Sequence, residues 1–417
     1  MRLLMITSLA LVLSLSFSPF AQQRMMRMGD EPARPIDYSF PEGQDQVVVP
    51  LRVVGSAVLI PVTLSGGATF WVTLDTGMPA DRALMLWDCP ALDSLGLALA
   101  EDPNVRIGGA GGSGATFSPR IASSVTFKVG DLTIRDVELH ALPRMKAPYQ
   151  RDDGVIGRML LANFVIVLDF DRSEMRLMLP GSYRAADGWS RIPLHYTRGV
   201  PNIAADIALT GGVEFPVELV LDLGAAHALS LYTDTDPRIS VPDAHIETVT
   251  GYGISGPVLG QVARAASLTV GDQPLHNLIC HFPRHDQMAG MMKEGNNGNL
   301  GFGALGRFNL VFDYADSALW IKPNGTYEKP FEYDMSGLSL QDDDSAFTVI
   351  EVLPNTPAAE AGVKKGDRIV MIDRKPVSTV PFLEFRERLK NDGLTIVLGV
   401  KRDNRTLTIP IALRRLI

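Results

Sequence analysis

The sequence predicts a mainly β protein in which one β-rich unit is duplicated and followed by a smaller module of strands with two short helices. Three observations carry this. Phe70-Trp-Val-Thr-Leu-Asp75-Thr76-Gly77 returns as Val217-Glu-Leu-Val-Leu-Asp222-Leu223-Gly224, 147 positions later, and further elements return in register with it. The apolar residues of both copies fall in short alternating or continuous runs divided by Gly, Pro, Ser and Asp, which is the pattern of strands. After residue 330 the character changes, and a stripe of apolar residues at helical spacing appears.

The N-terminus precedes this organisation. Arg2 leads an uncharged run to Ala21, apolar from Leu3 to Leu15, then Ser-Pro-Phe-Ala and Gln22-Gln23. A basic start, a short apolar core and a small residue before a polar stretch predict a signal peptide over 1–21 and an exported chain, periplasmic or secreted. An uncleaved anchor is the alternative, although the core is short for a span. Residues 22–46, mixing Met, Arg, Pro and Asp, read as a loose lead-in, and no later run is apolar enough to suggest stable membrane insertion. At roughly 150 residues per domain, 417 residues suit about three units. The 47 acidic residues exceed the 39 basic ones, a net charge of −8, with no basic stripe, which argues against a nucleic-acid partner. Apolar residues at 46% and charged residues at 21% exclude a largely disordered chain.

The first unit, 47–184, has strand-like runs at 53–64, 70–74, 124–129, 164–170 and 175–179. Val129-Gly-Asp131 returns as Val270-Gly-Asp272 in the second unit, 185–330. Val155-Ile156-Gly157, 82 positions from Asp75 to its Gly, returns as Asn299-Leu300-Gly301, 79 positions from Asp222. Asp169 and Asp313 each lie 12 positions beyond those glycines, and a polar turn and a last strand close both units. In each unit an apolar strand runs into Asp-x-Gly, which sets a carboxylate at the strand end before a tight turn. Two such ends can meet at a pseudo-twofold axis. Carboxyls about 3 Å apart cannot both ionise, so they share a proton, and one can act as base on a water while the other acts as acid.

On these residues the chain resembles the pepsin and retropepsin-like aspartic proteases, over about residues 47–330. The resemblance implies a bilobal fold with a substrate cleft, Asp75 and Asp222 as the catalytic pair, and active-site loops formed by Thr76, Gly77, Leu223 and Gly224. Thr76 would lock the two loops together. Leu223 stands where the family has Thr or Ser, and Met78 where a small residue is usual. One lost hydroxyl hydrogen bond costs roughly 0.5–1.5 kcal/mol, about tenfold or less in rate, so the expectation is an aspartic-type endopeptidase acting on peptides or proteins. A catalytically inactive, peptide-binding scaffold is the alternative.

Gly109, Gly111, Gly251 and Gly253 lie in G-x-G-x-x-G strings, 34 and 29 residues after their respective Asp. No helix is predicted behind either string, so they read as hairpins and not as nucleotide sites. By the resemblance they are flaps over the cleft. Ser113 does not suggest a trypsin-like nucleophile, since the first histidine is His140 and the His-Asp-Ser order cannot be built. His276, His281 and His285 read as a solvated loop, and neither metal nor cofactor is expected. Cys89 and Cys280 could form one disulfide or remain two buried thiols.

In the module 331–417, the sequence predicts a strand at 349–353 and a one-turn helix after Thr356-Pro357 ended by Gly362. A strand at 368–372 follows, then a helix from near Pro381 with Phe382, Phe385 and Leu389 on one face, and two closing strands. Leu353-Pro-Asn-Thr-Pro-Ala-Ala-Glu-Ala-Gly-Val-Lys-Lys-Gly-Asp-Arg-Ile is similar to the PDZ family. That resemblance implies a β-sandwich with two short helices, and places Gly337, Leu338, Ser339 and Leu340 in a loop whose N–H groups hold the carboxylate of a peptide terminus beside a strand that accepts the peptide.

Overall fold

The computed structural model describes residues 33–109, 111, 115–144, 152–287, 295–343 and 345–417. The expected signal peptide lies outside them. The described chain is mainly β, with two barrel-like lobes and a C-terminal domain.

The duplication seen in sequence is a duplication of barrels. In the first lobe the strands Ala57–Leu64, Thr69–Leu74, Gly154–Ile156, Ala83–Trp87, Leu132–Leu142 and Arg120–Val129 pair in that order, and the last pairs back to the first. In the second the same circuit runs through Val200–Leu209, Phe215–Asp222, Gly298–Gly301, Leu229–Leu231, Gln273–Pro283 and Gly256–Val270. Closure leaves few open edges for aberrant pairing. In each lobe the strand ending in Asp lies parallel to the short strand of the later glycine element, with Ile156 opposite Leu74 and Leu300 opposite Leu221.

A separate six-stranded sheet joins the lobes. Val165–Asp169 pairs antiparallel with Phe308–Asp313, and Val167 stands opposite Val311 with Ile166–Phe312 and Leu168–Leu310 on either side. These are equivalent residues of the two copies, so the pseudo-twofold axis passes between them. One continuous apolar core runs through both lobes, while the C-terminal domain has its own.

That domain orders its strands as Leu338–Asp342, Phe347–Val352, Arg368–Ile372, Thr395–Arg402 and Arg405–Ala412, with helices Pro357–Glu360 and Phe382–Arg388. The predicted stripe faces inward: Phe382, Phe385 and Leu389 are buried, and Phe385 stacks on Phe347. Thr356 precedes the first helix as expected, but its hydroxyl turns back to the Leu353 carbonyl at 2.6 Å and does not cap the helix. The domain is tied to the second lobe by Glu332, which pairs with Arg264 and Arg415, and by the Ile417 carbonyl, which accepts from Arg264.

Three local readings change. The run 53–64 is two strands, Arg52–Val54 and Ala57–Leu64, because the chain turns at Gly55, where φ is +64°. The stretch read as loose contains the strand Asp37–Ser39, which covers the edge of Leu132–Leu142. The His276 to His281 stretch is strand and not loop: Gln273–Pro283 pairs along its length with Gly256–Val270, and Pro283 sits at its end, where no further N–H is needed.

Phe312 is fully buried beside the pseudo-twofold axis. Phe312→Ala is expected to lower stability by about 3–5 kcal/mol, read as a fall in the urea midpoint, with a smaller loss for Phe312→Leu.

Candidate functional site

The two barrels bring Asp75 and Asp222 together at the lobe interface. Each carboxyl first satisfies its own turn: Asp75 Oδ1 accepts the Gly77 N–H at 2.7 Å, and Asp222 Oδ1 accepts the Gly224 N–H at 2.9 Å. The two carboxyls close on the same turn: a Cβ on Gly77 would lie 3.0 Å from the Asp222 carboxyl carbon and 3.1 Å from Asp75 Oδ1. Only glycine fits these turns, because a Cβ on Gly224 would lie 2.5 Å from the Asp75 carboxyl carbon. Burial, and then the Asp222 charge, hold the Asp75 carboxyl well above its ordinary value of 3.8, against the opposing N–H of Gly77. Two carboxyls so placed share a proton and titrate as a pair.

Thr76 bridges the lobes. Its buried hydroxyl donates to the Leu221 carbonyl at 2.7 Å and accepts the Leu223 N–H at 2.9 Å. Leu223, the departure noted in the sequence, sends its side chain into the core. The lobes are thus locked by one hydroxyl, not two. Met78 is also buried, in an apolar cluster with Met85, Trp87 and Ile107.

Sequence reasoning missed the polar residues behind Asp222. The Asn299 amide donates to Asp222 Oδ2 at 2.7 Å, and its oxygen meets His227 Nε2 at 3.2 Å. The signal was present as a mismatch: Asn299 occupies the place of the apolar Val155 in the other copy. His281 stacks at a tilt on His227, its Nδ1 2.8 Å from the Thr250 carbonyl, and burial pushes it down to about 3. It is a neutral packing partner. Among the described residues, no group of three or more His, Cys, Asp or Glu is gathered as a metal would require. Cys89 and Cys280 are free thiols.

The two glycine-rich segments meet. Gly251 lies in the strand His245–Gly253, which turns at Ile254-Ser255 into Gly256–Val270. At that tip the Ser255 hydroxyl accepts the Gly109 N–H at 3.3 Å and donates to the Ala115 carbonyl at 2.7 Å. A Cβ on Gly111, where φ is +137°, would come within 2.2 Å of the Ser255 backbone. Ile254 packs on the apolar cluster that holds Met78. The hairpins therefore interlock beside the Asp75 loop. Behind the second hairpin, a cleft of about 660 Å³ separates Val249, Tyr252 and Pro257 from Ile350, Val352 and Val363 of the C-terminal domain.

In that domain the expected carboxylate loop is partly occupied by its own chain. Asp334 Oδ1 accepts the N–H groups of Ser336 (2.8 Å) and Gly337 (3.0 Å) together with the Ser336 hydroxyl, and Ser336 Oγ accepts the Leu338 N–H. Arg386 pairs with Asp334 at 3.0 Å and donates to the Leu338 carbonyl. Gly337 and Leu338, whose N–H groups are expected to meet a peptide terminus, here donate them to Asp334 Oδ1 and Ser336 Oγ. Ser339 and Leu340 lie in the edge strand Leu338–Asp342.

With this geometry in place, the class is clear at the level of fold: a mainly β bilobal body followed by a PDZ domain. Residues 336–413 match the PDZ domain family. Among curated proteins, the chain is 36% identical over 63 residues to "Serine protease HTRA1" of Xenopus tropicalis, covering 15% of this chain and 13% of that protein. It is 34% identical over 67 residues to "Periplasmic serine endoprotease DegP" of Escherichia coli (strain K12), covering 16% and 14%. The chain thus spans about one seventh of the length of these relatives. Among solved structures, an aspartic proteinase from Irpex lacteus aligns with a TM-score of 0.46 at 14% identity, over 68% of this chain and 99% of that one.

These comparisons correct one expectation. The sequence reading assigns an aspartic-type endopeptidase, whereas the peptidases to which the chain is similar in sequence are named as serine proteases, through the PDZ region. The assignment of that enzyme class is withdrawn. Among the described residues, no helix is long and apolar enough to cross a membrane.

Thr76→Val leaves the Leu223 N–H without its acceptor, and is expected to lower stability by about 1–3 kcal/mol in urea unfolding, with Thr76→Ser near wild type. The raised Asp75 pKa has a definite sign. A group whose folded pKa lies above its unfolded one contributes stability that is full below the unfolded value and is lost as pH rises through the folded value. The contribution of this one group should therefore shrink as pH rises above 3.8, so Asp75→Asn, which cannot ionise, should gain melting temperature relative to wild type as pH rises. Melting temperatures across a pH series read both.

Proposed function

We propose that the protein is exported and protease-like, and that it takes an extended peptide or protein segment between its lobes at the Asp75–Asp222 pair while the PDZ domain engages a peptide or protein terminus. The single observation that supports this is the meeting of two carboxyls, each ending an equivalent strand of a duplicated barrel, beside glycine-rich segments joined through Ser255. With one proton between them, such a pair can both donate and accept a hydrogen bond, and so can hold the C=O and N–H groups of an extended peptide. Thr76, Gly77, Leu223 and Gly224 hold the pair, and the segments bearing Gly109, Gly111, Gly251 and Gly253 cover it. The division into 47–184, 185–330 and 331–417 belongs to the same reading, as does release of a leader after Ala21. Export is supported by the N-terminal pattern and by a relative whose name places it in the periplasm. Internal occupation of the PDZ loop by Asp334 favours engagement through the edge strand Leu338–Asp342, by β-addition.

The purified protein is incubated with an unfolded polypeptide from about pH 3 to 7, alongside Asp75→Asn, Asp222→Asn and a sample treated with a serine-directed phosphonate. Retention of the polypeptide, weakened about tenfold or more by Asp75→Asn or by Asp222→Asn, is the expected result, and retention unchanged by both substitutions would remove the pair from the binding site. Cleavage that survives both substitutions but not the phosphonate would move the chemistry to a serine. Capture of the polypeptide with no cleavage under any condition would leave a binding scaffold.

A further inference from the structure

The two carboxyls of the site are held unequally. Asp222 Oδ2 receives the Asn299 amide at 2.7 Å, in addition to the Gly224 N–H on Oδ1. The Asp75 carboxyl accepts the Gly77 N–H, while the Met78 N–H goes to the Asp75 backbone carbonyl at 3.3 Å. Neither Met78 nor Ala225, the residues that follow the two turn glycines, has a side-chain donor. The orientation of the amide follows from its surroundings. Its oxygen faces His227 Nε2 at 3.2 Å, which leaves the nitrogen as the end turned toward the carboxylate. Burial pushes the His227 pKa down while the Asp222 charge and Asn299 pull it up, so a neutral ring carrying its proton on Nε2 completes the chain from imidazole to amide to carboxylate.

We infer that Asn299, oriented by His227, is the positioning residue that keeps the negative charge on Asp222 and leaves the shared proton on Asp75. The inference rests on the reading of the pair as the functional centre. An N–H donor favours the charged form of the carboxylate it reaches. Two carboxyls in contact cannot both be charged, so a donor given to one decides where the proton sits on the other. The acid and the base of the pair are then assigned by a side chain outside the Asp-x-Gly turns. The other titratable groups facing this unit do not compete for that proton. Burial holds the Tyr232 hydroxyl neutral beside Asp222 and the Tyr314 hydroxyl neutral on the Asp75 side, where the Arg158 charge is also felt. His281, beside His227 and in edge contact with Tyr333, is neutral above about pH 3.

The test is a carbon-13 NMR titration of the full chain labelled at the Asp side-chain carboxyls and the His rings, from about pH 3 to 8, with Asp75 and Asp222 resonances assigned by single substitution. In wild type, the higher-pH step of the pair is expected almost wholly on the Asp75 resonance. In Asn299→Leu the same step divides between the two resonances, the Asp75 to Asp222 amplitude ratio falling about tenfold, and Asn299→Ser, which keeps a short donor, moves it back toward wild type. His227→Phe removes only the partner that orients the amide. It should shift the ratio in the same direction, and it serves where Asn299→Leu does not fold. A ratio unchanged from wild type in the folded variant overturns the inference. The readout needs no bound peptide, so a protein with the expected amplitudes whose retention of polypeptide ignores both Asp substitutions loses the proposed peptide site and keeps this assignment, and the opposite pair of results does the reverse.

Discussion

The structure depends on holding two like-charged groups against each other at the junction of two barrels. Asp75 and Asp222 would repel if both were ionised, and taking either out of water costs free energy. The arrangement is tolerable because one proton is shared, because each turn supplies an N–H to its own carboxylate, and because the lobes cannot drift apart. Thr76 fixes them at the site, and the six-stranded sheet around Val167 and Val311 fixes them beneath it. The turn glycines allow the carboxyls to approach, so backbone and side-chain requirements converge on the same few residues.

The two copies share a backbone path but not a set of side chains. One lobe contributes the bridging hydroxyl of Thr76, while its counterpart Leu223 packs in the core. The other lobe contributes Asn299 and His227, while the position matching Asn299 holds Val155. Divergence after duplication gives each carboxyl its own surroundings, the condition under which two chemically identical groups can differ. The contact between the glycine-rich segments is unequal too: the second supplies the Ser255 hydroxyl, and the first meets it with the Gly109 N–H and the Ala115 carbonyl.

The PDZ domain has a core of its own, yet it is fastened to the strand Gly256–Val270, which forms one arm of the second hairpin. A module of this kind recurs beside unrelated bodies, so its relatives inform the module and leave the chemistry of its neighbour to be argued from that neighbour's own site. Within it, Asp334 and Arg386 satisfy the groups that would otherwise hold a carboxylate. The same local rule that makes a carboxylate loop work, N–H groups converging on an anion, here closes the loop on an anion from three residues away.

The sequence by itself determined the duplication, the β class of both lobes, the strand-end position of Asp75 and Asp222 and the helical stripe of Phe382, Phe385 and Leu389, because these rest on local spacing and on repetition, which need no knowledge of what packs where. Strand limits at Gly55 and the strand nature of Gln273–Pro283 were less legible, since pairing with a distant partner overrode weak local patterns. Tertiary structure alone decided that the glycine-rich tips interlock, that Asp334 fills its own loop, and that Asn299 and His227 stand behind Asp222. Those facts join residues tens to hundreds of positions apart, or turn on which atom faces which, and a hydrogen bond formed across a fold leaves no periodicity in the chain that makes it.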